Sequence, residues 1–241
     1  METITDLAYE LSRRIPKPAA GLITQQLNIS GITIHKTIVK NNYAARQIGK
    51  PIGTYLNLDT TNQKMRNIVL ALRQVLRPLL TDKLYKILIV GLGNDKFIAD
   101  SLGPSVLEQI KTGEKLLTFE PGVFGVTGIN SVDAIKAMTR LVQPNAVIVI
   151  DSLVSATPSR IGTNYQICTS GITPGSGIGR DNQTISEKLL GVPVLAIGVP
   201  VCTIMTTNKQ IFHVVPKDID VVIKNCAKII AQSINTLVLH N

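Results

Sequence analysis

Apolar and polar residues alternate along segment 30–39, Ser-Gly-Ile-Thr-Ile-His-Lys-Thr-Ile-Val, and again along 52–58, Ile-Gly-Thr-Tyr-Leu-Asn-Leu. A period of two predicts two strands, able to pair as a hairpin. Other stretches repeat every three or four residues. Ile4, Leu7, Ala8 and Leu11 share one face of a short helix over 3–14, which Pro16 and Pro18 stop. Met65, Ile68, Val69, Leu72, Val75, Leu76 and Leu79 form the stripe of a longer helix over 61–80.

From Lys86 the chain alternates buried strands with helices. Ile87–Val90 is a continuous apolar strand ending in Gly91, followed by a helix over 101–111 and a short strand near 115–119. A helix over 128–142 takes Thr127 as its N-cap. Ala146–Ile150 is a second buried strand, ending in Asp151. A weaker strand at 165–168, a short helix at 185–190 and a third buried strand at 192–199, interrupted by Pro193, come next. A helix over 217–238 closes the chain, with Ile219, Val222, Ile223, Cys226, Ile229 and Ile230 inward.

This rhythm predicts an α/β fold: a central, mostly parallel sheet flanked by helices on both faces. There is no internal repeat, low-complexity segment or obvious linker. A single domain is therefore expected over 1–241, with an N-terminal helix-and-hairpin appendage over 1–60 and a core over 84–241. Ligands in such sheets bind at the carboxyl ends of the strands. That directs attention to residues 91–100 and 151–155.

Composition narrows the function classes. Of 241 residues, 44% are hydrophobic and 4% aromatic, with no Trp, so the core must be aliphatic. The net charge of +9 suits an acidic partner or a soluble surface. Lys and Arg form no long run and few aromatics accompany them, so no specific nucleic-acid interface is expected. Cys168, Cys202 and Cys226 are odd in number and lack CxxC spacing, which predicts buried thiols rather than a disulfide framework or zinc ribbon. The acidic N-terminus is not a secretion signal, and no apolar run is long enough to span a membrane. A cytoplasmic protein is expected.

Gly91-Leu-Gly-Asn94 turns sharply after a buried strand, but Lys96 stands where a dinucleotide fingerprint needs its third Gly or Ala. No cofactor and no metal are expected. Gly171–Gly179 is a second glycine-rich loop, read as a surface turn or as a flexible cleft wall. Ser176 within it is not a nucleophile elbow, because Pro174 holds the first Gly position. His35, His213 and His240 lie far apart in sequence, none beside a nucleophile signature. Asp100 and Asp151 are better placed. Singly, one reads as a helix cap and the other as a strand-end residue. Together, at the ends of two neighbouring core strands, they converge on one cleft. Two close carboxylates do not both ionise cheaply, which leaves one as acid and the other as base.

Several blocks resemble the germination protease family, peptidases that degrade small acid-soluble spore proteins. They are Gly91–Asn94 with Ala99–Pro104, Pro121–Ile129, Val147–Leu153, Gly171–Gly179 and Gly191–Pro200. Thr5–Ala8 is similar to the region near that family's maturation site, and Pro216–Asp220 to the start of its terminal helix. The resemblance implies an aspartic-type endopeptidase with Asp100 and Asp151 essential. It also implies a hydrogenase-maturation-protease-like (phosphorylase/hydrolase-like) α/β fold and a homo-oligomer in the cytoplasm of a forespore or spore core. Gly91, Gly93, Asn94, Gly125, Thr127, Gly128, Thr173, Gly175, Ser176 and Gly177 are the expected cleft or substrate-binding residues.

The sequence departs from that family in its short leader before Thr5, in a shorter stretch between Pro200 and Pro216, and in Ile98-Ala99 where Thr-Pro often stands. With so short a leader, the protein is expected to be active as made or trimmed by only a few residues. Two alternatives remain. A metal-guided maturation protease would place a His with two acidic residues, but no His stands near these blocks in sequence. A diverged paralogue that only binds a protein partner is opposed by the presence of both aspartates.

Overall fold

Strands β4 (Ile87–Gly91) and β6 (Ala146–Ser155) lie side by side and parallel, with Ile87 opposite Ala146 and Gly91 opposite Ile150. In this computed structural model, which describes residues 5–15, 20–80, 86–174, 183–207 and 210–238, they are the centre of one sheet. β5 (Leu116–Phe119) runs parallel along the outer edge of β4, and β8 (Val194–Thr207) runs parallel along the other side of β6. The three long apolar runs of the sequence are thus parallel neighbours.

Beyond β8 the pairing becomes antiparallel. β7 (Asn164–Cys168) follows, then β3 (Gly53–Asp59), β2 (Ile32–Val39) and β1 (Leu22–Ile29) at the edge. β9 (Gln210–Val214) pairs with the far end of β8. The N-terminal strands are not set apart, because the free edge of β3 takes up the backbone hydrogen bonds of β7.

Strand side chains alternate between faces. On one face Ile87, Ile89, Ile148, Ile150, Tyr165 and Ile197 pack under α3 (Met65–Leu79), α4 (Leu102–Leu107) and α8 (Ile219–Val238). The α3 stripe is Ile68, Ala71, Leu72, Val75 and Leu76. On the other face Leu88, Val90, Val147 and Val149 pack with Val132 and Ile135 of α6 (Ser131–Val142). Leu189 and Leu190 of α7 (Glu187–Leu190) border the same cluster. Further along that face Val39, Tyr55, Cys168 and Ala196 are covered by Ala8 of α1 (Ala8–Ser12) and by Ala44 and Ile48 of α2 (Asn42–Ile48). Asp151 projects on this second face, two residues after Val149.

Several expectations are corrected. β6 does not stop at Asp151 but runs on to Ser155, because β8 continues beside it. The N-cap of α6 is Asn130, whose Oδ1 accepts the Val132 N–H at 2.9 Å. Thr127 instead ends the single-turn α5 (Phe124–Thr127), and Gly128 then leaves the helix at φ 70°. The first helix is limited to α1; Ile4 lies outside the described residues. β1, α2 and β9 were not anticipated. Among the described residues no helix is long and apolar enough to cross a membrane.

The start of α4 sits directly on the end of β4. A Cβ at Gly103 would lie 2.2 Å from the Leu92 carbonyl oxygen and 2.6 Å from its nitrogen. Both obstacles are backbone, so neither can swing aside. Gly103→Ala should therefore destabilise the protein by about 1–3 kcal/mol or more. A lower urea midpoint at unchanged m-value would be the expected result.

Candidate active site

The loop after β4 is built to present Asp100. The Leu92 N–H donates to the Ile150 carbonyl at 2.9 Å, tying the loop to β6. Gly93 then takes φ +116°, and a Cβ there would lie 1.9 Å from the Asp100 carbonyl oxygen. That same oxygen accepts the Asn94 N–H at 2.9 Å, while the Asn94 side chain accepts from the Lys96 N–H at 3.0 Å. A 3-10 turn over Ile98–Asp100 follows, closed by the Asp100 N–H on the Phe97 carbonyl at 2.7 Å. Gly91, Gly93 and Asn94 thus shape the loop from behind; they do not line the space in front of the carboxyl.

Asp151 is held by the strand itself. Its Oδ1 accepts the Ser152 N–H at 2.9 Å. Gly198 lies opposite it on β8, and Gln166 of β7 lies opposite Gly198. A Cβ at Gly198 would lie 2.5 Å from the Leu153 side chain, so the missing side chain there makes room for Leu153.

Asp100 and Asp151 both line a cavity of ≈ 620 Å³. Burial pushes the Asp100 carboxyl up to about 6. Asp151 is pushed well above the usual carboxylate range, first by burial, then by the charges of Asp100 and Asp6. The Ser152 N–H partly offsets this. Both carboxyls hold their protons more tightly than a free aspartate, and they titrate as a pair rather than independently.

The remaining residues expected at the cleft divide three ways. Thr173 lines the cavity, its hydroxyl 2.7 Å from that of Thr184, which also lines it. Gly125, Thr127 and Gly128 lie in an exposed turn and are not among the lining residues. The Thr127 hydroxyl is used inside that turn, 3.2 Å from the Val123 carbonyl and accepting the Ile129 N–H at 3.1 Å. Gly175, Ser176 and Gly177 lie outside the described residues.

Sequence reasoning missed Asp6, Lys50, Tyr55, Gln166, Cys202 and His213, which all line the cavity. Asp6 had a signal, since it lies in one of the blocks that carried the resemblance. His213 had none: it enters the cavity because β9 folds back on β8, which corrects the expectation that no His lies near these blocks. Its Nδ1 is 3.8 Å from Cys202 Sγ. Burial and the charge of Asp6 push that thiol up to about 11, so it is a neutral thiol at ordinary pH. Among the described residues no cluster of three or more His, Cys, Asp or Glu is arranged to hold a metal ion.

The family model for germination protease matches residues 6–211. The germination protease of Caldanaerobacter subterraneus subsp. tengcongensis is 30% identical, over 96% of this chain and 92% of that protein. That of Clostridium tetani is 33% identical, over 83% of this chain and 70% of its own length. That of Bacillus mycoides is 31% identical, over 81% and 62%. Among solved structures, a crystal structure of the NiFe hydrogenase maturation protease HycI from Thermococcus kodakarensis KOD1 aligns with 69% of this chain and 99% of that one, at TM-score 0.46 and 21% identity.

The raised proton affinity of Asp100 makes stability depend on pH. Its folded value of about 6 exceeds the ordinary 3.8. The unfolded chain releases this proton first, so the folded state binds more protons between these values. The stabilisation is complete below the lower value and is lost as pH rises through the upper. Asp100→Asn cannot ionise. The stability of wild type relative to Asp100→Asn should therefore fall from about pH 4 to about pH 6. Urea titrations of both proteins across that range measure it, and a flat difference would mean that Asp100 is not desolvated.

Proposed function

The chain belongs to the germination protease family, and on that footing we propose that it is an aspartic-type endopeptidase in which Asp100 and Asp151 act as a pair. The observation that carries this reading is the shared cavity, in which two carboxyls are desolvated to unequal degrees. Asp100, the first to ionise, is the base. Asp151, the deeper group, keeps its proton and is the acid.

A water molecule between them attacks the scissile carbonyl carbon. Asp100 takes a proton from that water while Asp151 gives its own to the carbonyl oxygen, forming a neutral tetrahedral diol. Collapse breaks the C–N bond. The proton on Asp100 passes to the leaving nitrogen, and a diol hydroxyl returns its proton to Asp151. The products are a carboxylic acid and an amine, and both side chains end as they began. The apolar walls contributed by Tyr55, Leu153, Ile172 and Val201 suit a peptide side chain and exclude bulk water.

Family membership supports the finer parts of the reading: small acid-soluble spore proteins as substrates, assembly as a homo-oligomer, and action in the cytoplasm of a forespore or spore core. Thr173 is proposed as a hydrogen-bonding group to the substrate backbone, from its place on the cavity wall. The metal-guided maturation reading gains from His213 sharing the cavity with both aspartates. It is opposed by the donor set, which gathers no three ligands among the described residues.

Asp100→Asn and Asp151→Asn should each fold and each lose about 100-fold or more in kcat/KM on a spore protein. The double variant should be little worse than either single one, because the pair works as a unit. Fragment analysis by mass spectrometry gives the readout. Wild-type cleavage by either variant would remove the paired mechanism, and loss of activity with a chelator, restored by nickel or zinc, would favour the metal-guided reading. The wild-type kcat/KM should also fall as pH drops below about 6, where Asp100 takes up its proton.

A further inference from the structure

A polar row crosses the second face of the sheet. Asp151 lies opposite Gly198, Gly198 opposite Gln166, Gln166 opposite Asn57, and Asn57 opposite His35. The N-terminal segment runs along this row. Tyr9 stacks on His35, with ring centroids 3.9 Å apart, and the Arg160 guanidinium lies 5.0 Å over the Tyr9 ring. Arg160 Nε is also 2.8 Å from Glu10 Oε1, a contact of charges rather than an aligned hydrogen bond. Gln166 spends both ends of its amide on the segment, accepting the Ala8 N–H at 2.8 Å and donating to the Asp6 carbonyl at 3.1 Å.

Asp6 fastens the segment to β6 through one backbone and one side-chain hydrogen bond. Its N–H donates to the Val154 carbonyl at 2.9 Å, and its Oδ2 accepts the Val154 N–H at 2.9 Å. Val154 is three residues beyond Asp151 on the same strand. The other carboxylate oxygen is 3.8 Å from Lys50 Nζ. Asp6 is 9% exposed and lines the same cavity as Asp100 and Asp151. A carboxylate so firmly clamped beside two others needs a reason, since like charges repel strongly in a desolvated site.

We propose that Asp6 is a positioning residue of the site: a third carboxylate, locked onto β6 through Val154, whose charge keeps the shared proton on Asp151 rather than on Asp100. The assignment rests on the paired-aspartate reading. It adds to an asymmetry that burial sets first. Asp100 is raised by burial, whereas Asp151 is raised by burial, then by the charge of Asp100, then by that of Asp6. The other groups facing Asp151 across the cavity are Lys50 after α2, Tyr55 on β3, Cys168 on β7, Cys202 on β8 and His213 on β9. Burial raises both thiols and the phenol, so these stay neutral at ordinary pH. Lys50 is paired with Asp6 itself.

The test is a pH titration of the carboxyl carbons by NMR on the full chain, labelled at Asp, as wild type, Asp6→Asn and Asp6→Glu. Asn keeps an acceptor for the Val154 N–H, so the clamp survives and only the charge goes. The Asp151 midpoint should fall by about half a pH unit or more in Asp6→Asn. It should return toward the wild-type value in Asp6→Glu. With a peptide substrate, the basic limb of kcat/KM should move down by the same amount in Asp6→Asn, and the acidic limb set by Asp100 should stay. An unmoved Asp151 midpoint, or an equal displacement in Asp6→Glu, overturns the assignment. If Asp6→Asn fails to fold, Asp6→Ser, which also keeps an acceptor for the Val154 N–H and removes the charge, carries the same test, and an unmoved Asp151 midpoint there overturns the proposal. A wild type with no peptidase activity would remove the catalytic reading, while the midpoints would still report whether Asp6 controls the proton on Asp151.

Discussion

The parallel register of β4, β6 and β8 is the constraint on which the rest of the site depends. Gly91 lies opposite Ile150, so β4 ends one residue below the level of Asp151. The Leu92 N–H then bonds to the Ile150 carbonyl and fixes where the Asp100 loop departs. On the other side Asp151 lies opposite Gly198, whose missing side chain leaves room for Leu153. A shift of one residue in either pairing would turn Asp151 toward the helix-covered core, because strand side chains alternate faces. The residues that enforce the register are apolar on both faces: Ile148 and Ile150 toward α4 and α8, Val147 and Val149 toward α6.

Desolvation follows from that placement, and it acts in two directions. It raises the proton affinity of both carboxyls in one cavity. It also charges the fold for each ionisation, since a buried carboxylate is costly. The N-terminal segment adds a third negative group where the sheet is already short of solvent. Its attachment through Tyr9, Glu10, Arg160 and Gln166 is correspondingly dense. A strap that brings repulsive charge to a site must be held by contacts stronger than that repulsion, and these are spread along the whole polar row.

The antiparallel half of the sheet does different work. It contributes little to the Asp100 loop but builds the opposite wall of the cavity. Cys168 and Gln166 come from β7, Tyr55 from β3, and His213 from β9. The Tyr55 hydroxyl donates to the Pro51 carbonyl at 2.8 Å and accepts from Ser170 at 2.8 Å, so one side chain ties β3 to the loop after β7. The site is therefore a product of both halves. The parallel strands place the carboxyls, and the antiparallel strands shape what can reach them.

Much of this could be read from the amino-acid sequence, for a local reason. Ile87–Val90 and Ala146–Ile150 are continuous apolar runs, and such runs flanked by helical periods have few folds open to them, so the parallel centre, α3 and α8 were legible. Asp100 and Asp151 stood out because each follows one of those runs. The elements that were not legible lack such a signature. β1 is an edge strand whose Thr-Gln-Gln-Leu-Asn stretch faces solvent and shows no alternation. α2 is short, and its signals, an N-cap at Asn41 and Gly49 at φ 67°, are each common in turns. The cavity wall was hidden for a deeper reason. Asp6, Lys50, Gln166 and His213 come from four separate stretches, and only the order of strands in the sheet decides that they meet. The glycine turn at 125–128 shows the converse: it resembles a cleft loop in sequence, yet its hydroxyl is satisfied within the turn. Local pattern determined which residues are buried in strands and which carboxyls follow the apolar runs. Tertiary structure alone decided which distant side chains share their solvent-poor space, because that depends on pairings between strands that no short stretch of sequence encodes.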